Sequence, residues 1–548
     1  VGRCSGRVGR PAGRGVLETS NHFVTSPFPD DHASPAGRDD ASHVLGGSSD
    51  VGHAVDARHG DELTLARRAF DELAAVREDV IREADATLDA WRPWITRPGF
   101  TASAANLAAY ISIRRHDLRV LQLDLMTLGL SSLGRCEARV LENLDAVLAT
   151  LAHLARADPV LYRFPDPDAF FAGSTMLRAE SESVFGPAPS EREVYIMVTL
   201  PSEAAVDGRL VHDLVANGMD VARINCAHDD AGAWRAMAAN VRAAAETLDR
   251  SCRVAVDLVG PRARTGVVAA DDPAIRVSPG DRVLLVAEPR ERSPGDPPYV
   301  VCSLEEALPQ LHPGHRVMID EGSLEAVVLE AGGGSALLEV MRAPAKGFRL
   351  RPGKGMNFPT TPLALDPLTA NDLAALDVVA GFADVVGYSF VQRPEDMHRL
   401  VDELESRTRR EISLIAKIET RLAVENLPRI IVAAAGRRPL AVMIARGDLA
   451  VEIGHVRLAE IQEELLWLCE AAHVPVIWAT QVLDTFVKKG VHHRGEMTDA
   501  AMAERAECVM LNKGPFVREG VAVLSDVLGR MEGHQSKKTS RLRALRAW

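Results

Sequence analysis

Six short runs rich in aliphatic and β-branched residues each end on side chains that can do charge or acid–base chemistry. Val221–Asn225 carries Arg223, ends at Asn225 and is followed by His228. Arg253–Asp257 ends on a carboxylate, with Arg264 soon after. Asp384–Phe390 ends on Ser389-Phe390, and Ser413–Lys417 runs into Lys417-Ile418-Glu419. Val442–Ala445 runs into Arg446-Gly447-Asp448, and Val474–Ala479 into Thr480-Gln481. Taken singly, Lys417 or Arg446 is an ordinary surface or ion-paired residue, and Arg446-Gly447-Asp448 is a turn with an aspartate helix cap. Gathered at one mouth, they would supply three cations (Arg223, Arg264, Lys417) and two carboxylates (Glu419, Asp448). Two carboxylates beside a phosphate suit Mg²⁺, which prefers oxygen ligands and keeps several waters. Guanidinium and ammonium groups then neutralise a transferred phosphoryl group, which is most of what phosphoryl transfer asks of a protein.

Two further runs, Val194–Thr199 and Cys508–Leu511, bring the number of candidate strands to eight. Amphipathic stretches such as Glu203–Asn217, Ala233–Thr247, Pro394–Glu405, Leu458–Ala472 and Thr498–Arg505 alternate with them. Eight strand-then-helix units predict an α/β chain built on a TIM (β/α)₈ barrel, whose polar residues at strand C-termini meet at one face. The barrel is expected in two parts, 191–266 and 356–534. Between them, 267–355 reads as an inserted all-β lid domain, with Gly and Pro turns between short strands. An insertion on a βα loop sits at the catalytic face, where it can close.

Upstream, residues 61–155 show helical spacing, as in Leu63, Phe70, Leu73 and Val76, and predict an N-terminal helical domain. Within it, Ser131–Arg135 reads as a helix-to-helix turn. Residues 156–190 hold five prolines and read as a linker. Residues 1–60, rich in Gly, Ser, Asp, His and Arg, read as a disordered segment. Residues 535–548 read as a solvated basic tail with Lys537, Lys538, Arg541, Arg543 and Arg546.

The 548 residues are too many for one core, and about two to four domains are expected. The formal charge of −13 argues against a nucleic-acid partner, though a pocket can be basic on an acidic protein. Seven scattered cysteines with no C-x-x-C pair indicate neither a zinc site nor a disulfide framework and fit a reducing, cytoplasmic compartment. No stretch approaches the roughly 20 apolar residues needed to span a bilayer, and no signal peptide is visible, so no membrane partner is expected. His492-His493 and the His312, His315 pair read as surface residues rather than metal ligands, Trp478 as core packing, and Cys226 as a buried inert thiol.

The segments VARINCAHDD (221–230), VAVDLVGPRARTG (254–266), KGMNFP (354–359), IAKIET (415–420), ARGDLAVEI (445–453) and WATQVLDTF (478–486) resemble, in order and spacing, the pyruvate kinase family signature. The resemblance covers about 193–530 and includes RVMIDEG (316–322), which is similar to that family's lid motif. It implies transfer of a phosphoryl group from phosphoenolpyruvate to ADP, giving pyruvate and ATP, with Mg²⁺ or Mn²⁺ as cofactor. Residue by residue it implies that Lys417 contacts the phosphoryl group and stabilises the enolate, that Arg223 bridges phosphates, and that Ser389 lies beside phosphoenolpyruvate. Glu419 and Asp448 would hold the divalent metal. The Ala445-Arg446-Gly447 turn would offer backbone N–H groups to the substrate carboxylate, and Thr480 would sit near the carbon that is protonated. Thr199, Pro201, Asn225, His228, Arg264 and Lys354 would form the nucleotide side.

The sequence departs from the family pattern at several positions. Of the monovalent-cation ligands Asn225 and Asp257 remain, but Ala227 and Leu258 replace a Ser and a Thr, and Arg262 stands where potassium-dependent members carry Glu. A tethered guanidinium can supply the charge of a bound K⁺, so activity without K⁺ is expected. Val259 replaces a common lysine, the strand-one turn is shortened to Thr199-Leu200-Pro201-Ser202, and the strand-eight end reads Asn512-Lys513-Gly514-Pro515-Phe516. The family's C-terminal domain has no counterpart, so a homo-oligomer of unusual arrangement is expected, without sugar-phosphate activation of the usual kind. Two other readings follow from these departures: a related phosphotransferase with a different acceptor, and a non-catalytic phosphoenolpyruvate or nucleotide sensor.

Overall fold

The computed structural model describes residues 62–157, 162–272 and 274–541; the expected disordered segment 1–60 and the last seven residues of the tail lie outside them. Eight strands close a parallel barrel: β1 (Tyr195–Thr199), β2 (Val221–Asn225), β3 (Arg253–Asp257), β4 (Val385–Tyr388), β5 (Ser413–Ile418), β6 (Leu440–Ala445), β7 (Val476–Ala479) and β8 (Cys508–Leu511). Each strand pairs with its neighbours in sequence order, and β8 closes on β1 with Tyr195 opposite Cys508. A helix follows every strand and covers the outside, from Gly208–Ala216 after β1 to Val517–Met531 after β8.

The strands are buried on both faces, so they read as continuous apolar runs rather than as alternating ones. The pleat nonetheless divides their side chains in two. Ile196, Val198, Ile224, Val256, Val386, Leu414, Val442 and Trp478 pack outward against the helices. Tyr195, Met197, Val221, Ala255, Val385, Ile415, Met443, Ile477 and Met510 fill the interior. Continuing the inward parity, two residues at a time, leads to Thr199, Arg223, Asn225, Asp257, Ser389, Lys417 and Glu419 at the C-terminal end. The parity of the strands places polar groups inside the barrel mouth.

The other end of the barrel is closed by a helix that falls in the expected linker. Of the five α-helices described before the barrel, α1 (Glu62–Trp91), α2 (Thr101–Ile113), α3 (Arg119–Thr127) and α4 (Val140–Leu154) lie in the expected helical region, and α5 spans Pro167–Phe185. The linker expected over 156–190 is therefore corrected. Prolines mislead there because Pro167 occupies the first turn of α5, where a missing N–H costs nothing, and Asp166 caps it through Asp168 N–H at 2.9 Å. Val184 and Phe185 at the end of α5 join the interior core, with the Phe185 ring 5.2 Å from that of Tyr195. Tyr195 Oη donates to Gly186 O at 2.8 Å, fixing the helix end beneath the strands.

The helices α1–α4 share one apolar core with the barrel instead of forming a separate body. Polar latches fix the join. Asn106 donates to both Glu137 O and Ala471 O at 2.7 Å. The buried His473 ring lies 2.9 Å from Ser103 Oγ and 3.0 Å from Ala138 O. The tail, expected as a solvated helix end, is instead a short hairpin (Gln535–Ser536 with Thr539–Ser540) held by ion pairs of Lys537 with Glu507 and of Lys538 with Glu137. Both lysines thus find carboxylates from elsewhere in the chain.

The insertion between β3 and the helix Ala370–Val379 is a seven-stranded sheet with its own apolar core, including Leu285, Val300, Val317, Ile319, Ala326 and Leu338. Its first strand, Thr265–Ala269, and its last, Met356–Asn357, form the two edges of that sheet. The chain enters and leaves side by side: Arg264 bridges Gly355, and Thr265 N–H donates to Lys354 O at 2.7 Å. Among the described residues no helix is long and apolar enough to cross a membrane.

Because Phe185 is 1% exposed and stoppers the barrel floor, Phe185→Ala is expected to cost about 3–5 kcal/mol. The measurement is the urea midpoint at unchanged slope; an unaltered midpoint would mean that α5 contributes nothing to the barrel.

Candidate active site

The inward polar residues converge on a cavity of about 270 Å³ at the C-terminal mouth of the barrel. At its base lies a buried charge network. Asp257, 1% exposed, accepts from Arg223 Nε at 2.8 Å, and Arg223 Nη1 donates to Thr199 Oγ1 at 2.8 Å. Lys417 Nζ donates to Ser389 Oγ at 2.7 Å and lies 3.0 Å from Glu419 Oε1 and 3.7 Å from Asp257 Oδ2. Ser389 Oγ passes its own hydrogen to Leu258 O at 2.7 Å, which leaves its lone pairs for the ammonium. Phe390 N–H donates to Glu419 Oε2 at 2.7 Å.

Burial alone would push the Asp257 carboxyl up; the Arg223 guanidinium and the Lys417 ammonium outweigh it and hold the group below the usual carboxylate range. Glu419 goes the other way. Burial raises it, the Lys417 charge opposes this, and the Asp448 carboxylate adds to the rise. Two carboxylates that repel each other at one mouth, both with hard oxygen donors, fit a divalent cation. Among the described residues no group of three His, Cys, Asp or Glu side chains converges on one point. A cation held by Glu419 and Asp448 would thus complete its shell with water and substrate oxygens, as Mg²⁺ does.

Strand ends β6 and β7 supply the opposite wall. Ala445, Gly447, Asp448 and Thr480 line the cavity, and Gly447 N–H donates to Thr480 Oγ1 at 3.0 Å. Arg446 turns its side chain away from the cavity. Its guanidinium donates to Ala479 O at 2.9 Å, to Thr480 O at 2.6 Å and to both oxygens of Asp499, and it lies 4.5 Å from the Trp478 ring centroid. This clamp holds Thr480 and Gln481 at φ +66° and +58°. Left-handed backbone is strained for a β-branched residue, and such strain persists only where its surroundings fix it.

Of the other residues expected here, Arg223, Asn225, Arg262, Ser389, Lys417 and Glu419 line the cavity, whereas Thr199 and Asp257 stand behind Arg223. Pro201 only opens the 3₁₀ turn Ser202–Ala205. His228 lies off the cavity lining; its basicity is lowered by burial and then by the charge of Lys513, with Arg264 and Arg223 adding to the effect. Arg264 donates to Gly353 O at 2.9 Å and Lys354 pairs with Asp320 at 2.8 Å, so both belong to the hinge and face of the lid. Arg262 Nη2 lies 3.5 Å from Asp448 Oδ1, while Asp257 Oδ1 is buried with no hydrogen-bond partner among the described residues. Asn225 Oδ1 accepts from Ala227 N–H at 3.0 Å. Cys226 is half-buried, and burial pushes its thiol up to about 12, which keeps it protonated at neutral pH.

The sequence pattern did not single out several wall residues. Glu321, on the lid loop, reaches the cavity, as do Lys488 and Asp484, beside Asn512 from the altered strand-eight end. The signal for Glu321 was the tight turn Asp320-Glu321-Gly322, whose three residues all adopt positive φ. Lys488 and Asp484 form an i,i+4 ion pair on a short helix after β7, which reads in sequence as an ordinary surface pair.

Gly387 lies against the charge network: a Cβ there would stand 2.2 Å from Asp257 Oδ1. Gly387→Ala is expected to displace Asp257 and destabilise the barrel by about 1–3 kcal/mol. A melting curve identical to that of the parent protein would refute this close approach.

Comparison with known proteins points to one family. The family model "Pyruvate kinase, barrel domain" matches residues 191–516, more than half of the chain. A pyruvate kinase of Rattus norvegicus is 29% identical over 371 residues, which cover 65% of this chain and 61% of that protein. A pyruvate kinase of Methylorubrum extorquens is 31% identical over 62% of this chain and 69% of its own, and one of Hypocrea jecorina is 30% identical over 63% of each. The chain thus spans roughly three-fifths to two-thirds of the length of these relatives. With eight parallel strands closed into a barrel, and with this match across both halves of it, the chain belongs to the pyruvate kinase family.

Proposed function

We propose that the chain transfers the phosphoryl group of phosphoenolpyruvate to ADP, giving pyruvate and ATP. One observation carries this reading: Lys417 Nζ sits within 3.0 Å of Ser389 Oγ and Glu419 Oε1, in a cavity that Arg223 and Asp448 also line. An oxygen of the ADP β-phosphate attacks phosphorus while the bond from phosphorus to the enol oxygen breaks. The Arg223 guanidinium and the Lys417 ammonium neutralise charge on the moving group, and Lys417 stabilises the enolate left behind. The enolate carbon then takes a proton on the Thr480 side, through water. The N–H groups of the Ala445–Gly447 turn are placed for the substrate carboxylate once Thr480 Oγ1 releases Gly447. Glu419 and Asp448 would hold Mg²⁺ or Mn²⁺, which supplies further positive charge to the phosphoryl oxygens when bound.

K⁺ is not required in this proposal. Arg262, 3.5 Å from Asp448, brings a fixed guanidinium to the edge of the mouth. A second reading, a related phosphotransferase with a different acceptor, is favoured by the altered end of β8. Asn512 lines the cavity there, and the charge of Lys513 reaches His228 on the nucleotide side.

The test is pyruvate formation from phosphoenolpyruvate, ADP and Mg²⁺, with and without K⁺. Turnover is expected without K⁺, to need the divalent ion, and to fall by roughly 10³-fold or more in Lys417→Met, as for loss of a transition-state cation. A many-fold rise on adding K⁺ would overturn the cation assignment. No turnover despite bound phosphoenolpyruvate would overturn ADP as the acceptor.

A further inference from the structure

A second cavity, of about 340 Å³, lies where α2, the barrel helix His455–Ala471 and the C-terminal hairpin meet. It shares no lining residue with the active-site cavity. Its centre is Trp467, whose ring centroid lies 5.1 Å from the Arg114 guanidinium carbon and 4.7 Å from Lys538 Nζ. Arg114 Nη1 donates to Tyr110 Oη at 2.9 Å.

The charges on this wall are unequally matched. Arg119 is engaged by Asp117 through two short contacts, at 2.9 and 2.6 Å, and Lys538 by the buried Glu137. Arg114 has no carboxylate partner among the described residues, so the wall carries one more cation than it has anions. Trp467 Nε1 is buried and has no hydrogen-bond acceptor among the described residues. A guanidinium without a carboxylate partner and an indole N–H without an acceptor, beside one cavity, call for an acceptor of negative charge.

We propose that this cavity binds a small oxyanion, the phosphate or carboxylate group of a compact metabolite, through Arg114, Lys538 and Trp467. The site is built by α2, the barrel and the hairpin and shares no lining residue with the first cavity, so its occupancy can be measured apart from that cavity. Ligand there would also tie the hairpin to the N-terminal helices through Lys538, which already reaches Glu137 from the other end of the chain.

The experiment is a titration of the full chain with inorganic phosphate, and separately with succinate, at constant ionic strength. Tryptophan fluorescence is the readout, with Trp467→Phe as the control. A saturable change is expected that disappears in Trp467→Phe and survives in Lys417→Met. Arg114→Ala, at an exposed position, is expected to weaken it about tenfold or more, as loss of a charge-assisted contact does. Saturation by phosphate alone assigns a phosphate-bearing ligand, and saturation by succinate alone a dicarboxylate. No saturable change with either anion, or one untouched by Arg114→Ala, would overturn the proposal. Far-UV circular dichroism of each variant separates loss of binding from loss of fold.

Discussion

The buried pairing of Asp257 with Arg223 and Lys417 sets the terms for the rest of the molecule. Charges taken out of water are costly unless each finds a partner, and removing one member of a buried pair costs about 3–5 kcal/mol. Here one carboxylate answers two cations, and Thr199, Ser389 and Glu419 take up their other donors. The arrangement requires strands whose inward positions coincide at one level of the barrel. It also requires a residue without a Cβ at Gly387, where any side chain would strike Asp257. A floor that keeps water from the other end of the barrel serves the same need, and Phe185 provides it. The cations are held in advance of any ligand, so an anion entering the cavity meets them with little reorganisation.

Around this fixed base the mouth is built from strained and hinged parts. The Arg446 clamp on Asp499 and the carbonyls of β7 holds Thr480 in a backbone conformation that a β-branched residue does not adopt freely. The lid enters and leaves through two adjacent edge strands joined at Arg264 and Gly355, a narrow connection for a sheet with its own core. Its Asp320–Gly322 turn brings Glu321 to the cavity. A fixed base under a cover on so narrow a connection is an arrangement that can shield a cavity from water.

The N-terminal helices and the C-terminal hairpin meet on the barrel helix His455–Ala471, which follows directly on Arg446–Ile453, the helix that carries Asp448. Asn106, His473 and Lys538 each link segments hundreds of residues apart. These polar latches, together with the shared apolar core, make the added helices part of the barrel's own packing.

Much of the fold was legible because its signals are local. Eight aliphatic runs with helical stretches between them define the strands, and the two-residue period of a strand decides which side chains enter the barrel. Arg223, Asp257, Ser389, Lys417 and Glu419 stand at or near the ends of those runs, and strand ends of such a barrel share one face, so the sequence alone assigns them to one mouth. What the sequence did not reveal depends on surfaces brought together over long separations. A proline cluster concealed α5, whose value lies in plugging a barrel made by residues that follow it. The charges of Lys537 and Lys538 read as solvated until Glu507 and Glu137 were seen beside them. The direction of Arg446 was likewise set by Asp499, 53 residues away. Strand parity is a property of consecutive residues and is written in the sequence; the partner that satisfies a charge or covers an apolar helix face exists only once the chain has folded.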